Sequence, residues 1–272
     1  MAISTDTDLR PEAPVARDSR ELLAPLVELA ARCPALTAEE VGSFVSQGRE
    51  YALHRFHFNG PKAEHDSLRI GVFAGLHGDE PAGIDALVRW LHELAEEPWR
   101  ATGYELTVFP LCNPTGYEDN TRHNRAGHDL NRQFWQRSDQ REVALLEREL
   151  TAGKFDGLIT LHSDDTSEGL YGYTQGRLLN EALLKPALRA SERVLPRNRQ
   201  PLIDGFVASE GLIQRCFDGV LSAPSHQRPQ PFDLIFETPA LAPLAAQVEA
   251  TLLAIETVLV EYRVFLAHSI NL

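Results

Sequence analysis

The chain is short of sulfur. Its 272 residues hold three cysteines and one methionine. Cys33, Cys112 and Cys216 are too few and too scattered for a disulfide framework or a Cys-rich metal site, so reduced thiols in a reducing cytoplasm are expected. Long apolar runs are missing too, which excludes a membrane-spanning helix. Met1 to Asp8 carries neither a basic nor an apolar stretch, so no secretory leader is expected. Positive charge is scarce: Lys and Arg total 26 against 39 Asp and Glu, a net charge of -13 with a pI near 5.2. Such a surface repels phosphate backbones and anionic lipid, so neither nucleic acid nor membrane is an expected partner. There is no internal repeat, low-complexity tract or linker. The expected organisation is one catalytic domain over 1–272, with 1–50 a mobile or helical extension and 51–272 the core.

What is present is an ordinary globular mixture, 43% hydrophobic and 24% charged. Residues 1–17 are polar and read as mobile or loosely docked. Asp18, with Glu21 three places on, signals a helix carrying Leu22, Leu26 and Leu29. Thr37-Ala38-Glu39-Glu40 repeats the signal and predicts a second helix start. Tyr51–Phe58 alternates like an edge strand. Strands are then predicted at Arg69–Ala74, Leu106–Cys112, Gly157–Leu161 and Leu234–Phe236. Helices are predicted from Pro81, after Ser138, over 176–195 with a break at Pro186, and at the C-terminus along Leu244, Val248, Leu252, Ile255 and Leu259. Alternating strands and helices imply a largely parallel sheet with helices on both faces. Ligands of such sheets bind beyond the carboxyl ends of the strands.

Three chemistry-bearing residues fall at those ends. His77 and Glu80 follow the first core strand in the run His77-Gly78-Asp79-Glu80, His162 closes another, and Glu237 closes a third. Two His and one Glu with an open fourth position are the ligand set of a catalytic zinc. Between them lies Thr121–Phe134, a stretch with three Arg, two Asn and two His in an otherwise acidic chain. Arginine forks match carboxylates, and Asn adds a donor.

The ordered elements His77-Gly-Asp-Glu80, Asn113-Pro-Thr-Gly116, Arg122-x-Asn-x-x-Gly-x-Asp-Leu-Asn131-Arg132-x-Phe134, His162-Ser163 and Leu170-Tyr-Gly-Tyr173 resemble the zinc carboxypeptidases (the funnelin superfamily). In appearance the murein peptide amidase branch is closest, and the first half is similar to succinylglutamate desuccinylase and aspartoacylase. The resemblance spans roughly 69–240. It implies an α/β fold with a mixed, mostly parallel twisted sheet of about eight strands, flanked by helices on both faces. It implies Zn2+ held by His77, Glu80 and His162, with Asp129 hydrogen-bonded to a ligating imidazole. It further implies Asn131 and Arg132 as a clamp on the substrate carboxylate, Arg122 as the oxyanion donor with Arg125 a rival, and Glu237 as general base. The implied activity is hydrolysis of an amide bond beside a free carboxylate, on a short peptide such as one derived from cell wall. An N-acyl-amino-acid deacylase is the alternative, and an inactive relative that binds zinc and carboxylate is a third reading.

Two departures stand out. No Tyr lies between Tyr173 and Glu237, where carboxypeptidases carry a mobile one; Phe206, Phe217, His226 and Arg228 are candidates for that loop. Ile235 stands two before the base, where Thr or Ser is usual. The chain also ends one helix after Glu237, with no β-rich extension of the aspartoacylase kind, which favours the peptidase or amidase branch.

Overall fold

The computed structural model describes residues 16–63 and 67–269. The expectation for residues 1–17 falls almost wholly outside the described residues. The Asp18 signal is realised in α1 (Ser19–Arg32), where the Asp18 carboxylate accepts the N–H groups of Arg20 and Glu21 and so pairs two donors the helix cannot satisfy itself. Its buried residues are Ser19, Leu23, Leu26 and Leu29, so Leu23 takes the place expected for Leu22, which is half-buried.

The second capping signal is not realised. Thr37–Glu40 lies in strand β1 (Leu36–Ser46), paired antiparallel with β2 (Arg49–Asn59) along almost its whole length. Glu39, between the two capping residues of that signal, instead meets Arg55 across the strands. A capping box is a local signal worth about 1 kcal/mol, and a full ladder of strand hydrogen bonds outweighs it. β2 is not an edge strand either, because β4 (Tyr104–Phe109) pairs with its other side.

The remaining elements follow the sequence more closely. β3 (Leu68–Phe73) leads into α2 (Pro81–Glu96), and the short α3 (Pro114–Asp119) follows β4. Then come α4 (Arg141–Gly153) and β5 (Gly157–Asp164). β6 (Tyr171–Thr174) is followed by α5 (Arg177–Leu179), a π-helical stretch Asn180–Leu184 and α6 (Lys185–Ser191). The irregular turn immediately precedes Pro186, whose ring cannot be accommodated in a regular α ladder. The short strands β7 (Leu202–Ile203), β8 (Phe206–Ser209) and β9 (Leu212–Ile213) lead to β10 (Phe232–Pro239) and α7 (Leu244–Ser269).

All strands among the described residues join one ten-stranded sheet in the order β1-β2-β4-β3-β5-β10-β6-β9-β8-β7. The expected α/β architecture holds, but the strand count is higher than expected and antiparallel pairs outnumber parallel ones. The centre, β4-β3-β5-β10, is parallel throughout. The excess comes from the flanks, where the hairpins β1–β2, β7–β8 and β8–β9 must run antiparallel and β2–β4 and β10–β6 are antiparallel as well. Residues of α1, α2, α6 and α7 cover one face, against Ile70, Val72, Ile159 and Phe236. Val143, Leu146 and Leu150 of α4 cover the other, against Phe73, Phe109 and Leu158. The three cysteines are unpaired. No helix among the described residues is long and apolar enough to cross a membrane.

Candidate metal centre and its cavity

The parallel centre brings the ends of β3, β5 and β10 together. After β3 the chain turns at Gly75, whose φ of +63° suits a residue without Cβ. The next loop presses on α3. A Cβ on Gly78 would lie 1.9 Å from the carbonyl carbon of Gly116. Asn113 locks this contact: its Oδ1 accepts the Gly116 N–H at 2.9 Å and its Nδ2 donates to the Leu76 carbonyl at 3.2 Å. The Asn113-Pro-Thr-Gly run therefore braces the His77 loop and does not line the cavity.

His77, Glu80 and His162 are buried together, with one potential ligand atom from each lying within 4.8 Å of the others. Nδ1 of His77 is 2.6 Å from Glu80 Oε1, and Nδ1 of His162 is 2.9 Å from Glu80 Oε2. Both imidazoles thus aim the same ring nitrogen at one carboxylate. Glu80 occupies the N-cap position of α2 without capping it, because its oxygens are committed to the cluster and to the N–H of Ser163 at 3.1 Å. Burial alone would raise the Glu80 carboxyl; the two imidazoles outweigh it and hold it far below the usual range. Burial opposes charge on His77, yet Glu80 and Asp129 carry its imidazole above the ordinary value. On His162 burial prevails, and the imidazole sits below it. Two nitrogens and one oxygen converging from a buried pocket fit a zinc ion in ligand type and number.

The far nitrogens are also engaged. Nε2 of His77 donates to Asp129 Oδ1 at 3.1 Å, and Nε2 of His162 lies 3.2 Å from Asn131 Nδ2. Asp129 caps the single turn Leu130–Arg132, which fixes both partners at once. Its Oδ2 receives Nε and NH2 of Arg122 at 3.2 and 3.1 Å. Burial would raise the Asp129 carboxyl, but His77, Arg122 and Arg132 hold it far below normal. Asn131 Oδ1 accepts the Leu221 N–H at 2.9 Å, and the Arg132 guanidinium stacks 4.1 Å over the Phe217 ring.

A cavity of about 400 Å3 opens beside this cluster, bordered by Arg122, Asn131 and Arg132 on one side and by Tyr171, Tyr173, Asp164 and Asp204 on another. Glu237 lines it too, as register partner of His162 on β5 and of Tyr171 on β6. Its carboxyl is pushed well above the usual range by burial first, then by Glu80, Asp164 and Asp204, with Arg122 offsetting part of the effect. Behind it, the Ser163 and Thr238 hydroxyls lie 2.9 Å apart, each 3.1 Å from Gln247 Oε1. The residues following His162 and Glu237 are thereby tied to each other and to α7.

Every expected site residue except Arg125, the rival to Arg122, reaches this cluster or its rim. Arg125 grips Asp119 at 2.7 and 2.6 Å and reaches Tyr51, away from the cavity lining. Of the four candidates for the Tyr-less loop, Phe217 lines the cavity and Phe206 packs against it, 4.8 Å between ring centres. His226 and Arg228 lie in a separate groove with Arg69 and Phe155. Sequence reasoning missed Asp164 and Asp204, whose carboxylates accept the hydroxyls of Tyr171 and Tyr173 at 2.8 and 2.7 Å. The Asp204-Gly205 pair between two short apolar runs was a legible turn signal; its position over the cavity was not.

Residues 66–193 match the model of the succinylglutamate desuccinylase/aspartoacylase catalytic domain. A search of curated proteins gives no match. Among solved structures, a "putative metallopeptidase" of Shewanella amazonensis is similar at 25% identity and TM-score 0.71, over 88% of this chain and 91% of that one. Its counterpart from Shewanella denitrificans gives 24% and 0.72, over 87% of each chain. A metallo-carboxypeptidase of Burkholderia cenocepacia gives 16% and 0.70, over 92% of this chain and 70% of its own. The resemblance read from the motifs holds on both counts: the fold is that of the metallo-carboxypeptidases, and the desuccinylase/aspartoacylase pattern is present, over residues 66–193 in the middle of the chain.

Proposed function

We propose that the protein is a zinc-dependent hydrolase that cleaves an amide bond adjacent to a free carboxylate, in the manner of a metallocarboxypeptidase. The observation that carries this reading is the convergence of His77, Glu80 and His162 on one point, with Glu237 the register neighbour of His162. His77, Glu80 and His162 would hold the ion, which when bound supplies Lewis acidity toward the scissile carbonyl and toward water.

The chain's own residues do the rest. Asp129 fixes the tautomer and tilt of His77. Arg122, held by Asp129, offers its N–H groups to the carbonyl oxygen as negative charge grows there. Arg132, held over the Phe217 ring, meets the substrate carboxylate, with Asn131 beside it, and sets which bond reaches the centre. Glu237 takes a proton from the attacking water and delivers it to the leaving nitrogen. Its raised carboxyl suits it to hold that proton in between, and a cation at the triad would bring it back toward ionisation in the resting state.

The match over 66–193 favours a second reading, an N-acyl-amino-acid deacylase using the same residues. The test is turnover of two panels, peptides with a free C-terminus and N-acyl amino acids, by the zinc-loaded protein and by Glu237→Gln. Release of a C-terminal residue marks the peptidase, and release of a small acid from an acyl panel marks the deacylase. Binding of ligands without turnover of either panel would reject both and leave a zinc- and carboxylate-binding protein.

A further inference from the structure

The loop that carries His77 and Glu80 is gripped from a distant part of the chain. Gly78, buried between the two ligands, has both of its peptide groups paired. Its N–H donates to the Thr121 carbonyl at 3.0 Å. Its carbonyl accepts Nη1 of Arg17 at 2.9 Å. The Arg17 guanidinium also lies 5.2 Å over the ring of Tyr117 on α3. On the other side stands Asp85 of α2, whose carboxyl is raised by burial and lowered in part by Arg17. One side chain therefore joins the metal loop to the helix that follows it and to the helix it presses on.

Arg17 is itself held. Asp18, next to it, caps α1 and pairs with Arg49 at 2.9 Å. Ser19 donates its N–H and its hydroxyl to Glu118 Oε1 on α3, at 3.1 and 2.8 Å. Two consecutive residues after Arg17 are thus tied down, and the arginine reaches the loop from a fixed backbone. Arginine suits this place because one planar group can donate to a carbonyl and lie on a ring at once. The peptide plane is stiff, so a donor that fixes the Gly78 carbonyl also fixes the direction in which the chain leaves toward Glu80. A buried carbonyl left without a donor is costly, which gives the loop a reason to shift when Arg17 is lost. Arg17 lies outside the matched residues 66–193.

We propose that Arg17 is a positioning residue of the metal centre, setting the spacing of His77 and Glu80 through the Gly78 carbonyl, so that the segment before α1 is a working part of the site. This rests on the zinc reading above and adds to it a residue from outside the motif region.

The test uses the full chain and two ions. Zinc affinity is measured by competition with a chelating dye, and the visible absorption of the Co2+-loaded protein reports ligand geometry. Arg17→Ala should bind zinc about tenfold or more weakly, the loss typical of a group that orients a metal ligand, and its Co2+ bands should shift. Arg17→Lys keeps a donor for the Gly78 carbonyl and should recover most of the affinity. Arg20→Ala, which removes a bond to the Glu50 carbonyl on the surface, should match wild type in both readouts. Should Arg17→Ala fail to fold, Tyr117→Leu withdraws the ring beneath the guanidinium and should weaken zinc in the same direction; unchanged affinity there would count against the proposal. Equal zinc affinity and identical Co2+ bands in wild type and Arg17→Ala would overturn it. So would a lower melting temperature of metal-free Arg17→Ala with zinc affinity unchanged, since Arg17 would then merely fasten the segment before α1. If wild type binds zinc and Arg17→Ala binds it equally, this inference alone falls. If wild type binds neither ion, the zinc reading falls and takes the inference with it.

Discussion

Glu237 and His162 are register partners across the parallel pair β5–β10. They are 75 residues apart in the chain, yet the ladder places them at the same height above the sheet, and the Ser163–Thr238–Gln247 hydrogen bonds tie the next pair together. The Glu237 carboxyl is thereby fixed beside an imidazole of the His77–Glu80–His162 cluster by backbone pairing and these side-chain bonds.

Metal content follows from the cluster. Protein purified without added metal should carry about one zinc per chain by mass spectrometry, and His162→Ala should carry none. Asp129→Ala should keep the fold and lower zinc affinity about 10- to 100-fold, because His77 loses the group that fixes its tautomer. Equal zinc in wild type and His162→Ala would remove the centre from consideration.

Replacing Glu237 with Gln preserves shape and removes the base. Turnover should fall by about 100-fold or more, with zinc content and KM close to wild type. An unchanged kcat would assign the proton transfer to another group.

The two arginines of the 122–125 segment should separate cleanly. Arg122→Ala should lower kcat/KM by about 100- to 1,000-fold, the usual loss for an oxyanion donor. Arg125→Ala removes contacts with Asp119 and Tyr51, so its effect should be on melting temperature, with kcat retained. The reverse pattern in steady-state kinetics would exchange their roles.

Asp233 gives stability a pH dependence of known sign. Burial pushes its carboxyl up to about 7 in the folded chain, well above the ordinary carboxylate value, so the native state binds the proton more tightly than the unfolded state. The contribution is fully present below about pH 4, declines as pH rises through 7, and is then lost, by at most about 4 kcal/mol. Asp233→Asn should therefore gain more in melting temperature over wild type at pH 8 than at pH 4. Thermal melts with the same difference at both pH values would contradict the burial of this carboxyl.

Gly78→Ala is expected to be disruptive although the change is one methyl group. The new Cβ would meet the Gly116 backbone at 1.9 Å, where no flexible side chain can yield. The loop must move off α3 and take His77 with it. Zinc loss together with a lower melting temperature should result, measured on the same preparation.

The sequence by itself determined the helix starts at Asp18 and Pro81, the core strands, and the placing of His77, His162 and Glu237 toward the carboxyl ends of strands, although β5 and β10 run two residues beyond His162 and Glu237. Caps, proline positions and apolar periodicity are properties of contiguous residues, so they survive in one dimension. The same locality misled at Thr37–Glu40, where the partner strand β2 decides, and at Tyr51–Phe58, where β4 covers an apparent edge. Strands β6 to β9 are too short to show a period. Only the tertiary structure set Arg122 at the cavity and Arg125 away from it, hung Asp204 over the cavity through the Tyr173 hydroxyl, and made Asn113 a brace between the His77 loop and α3. Each of these depends on which distant segments share a face of the sheet, and that is fixed by long-range strand pairing and burial, which no local pattern records.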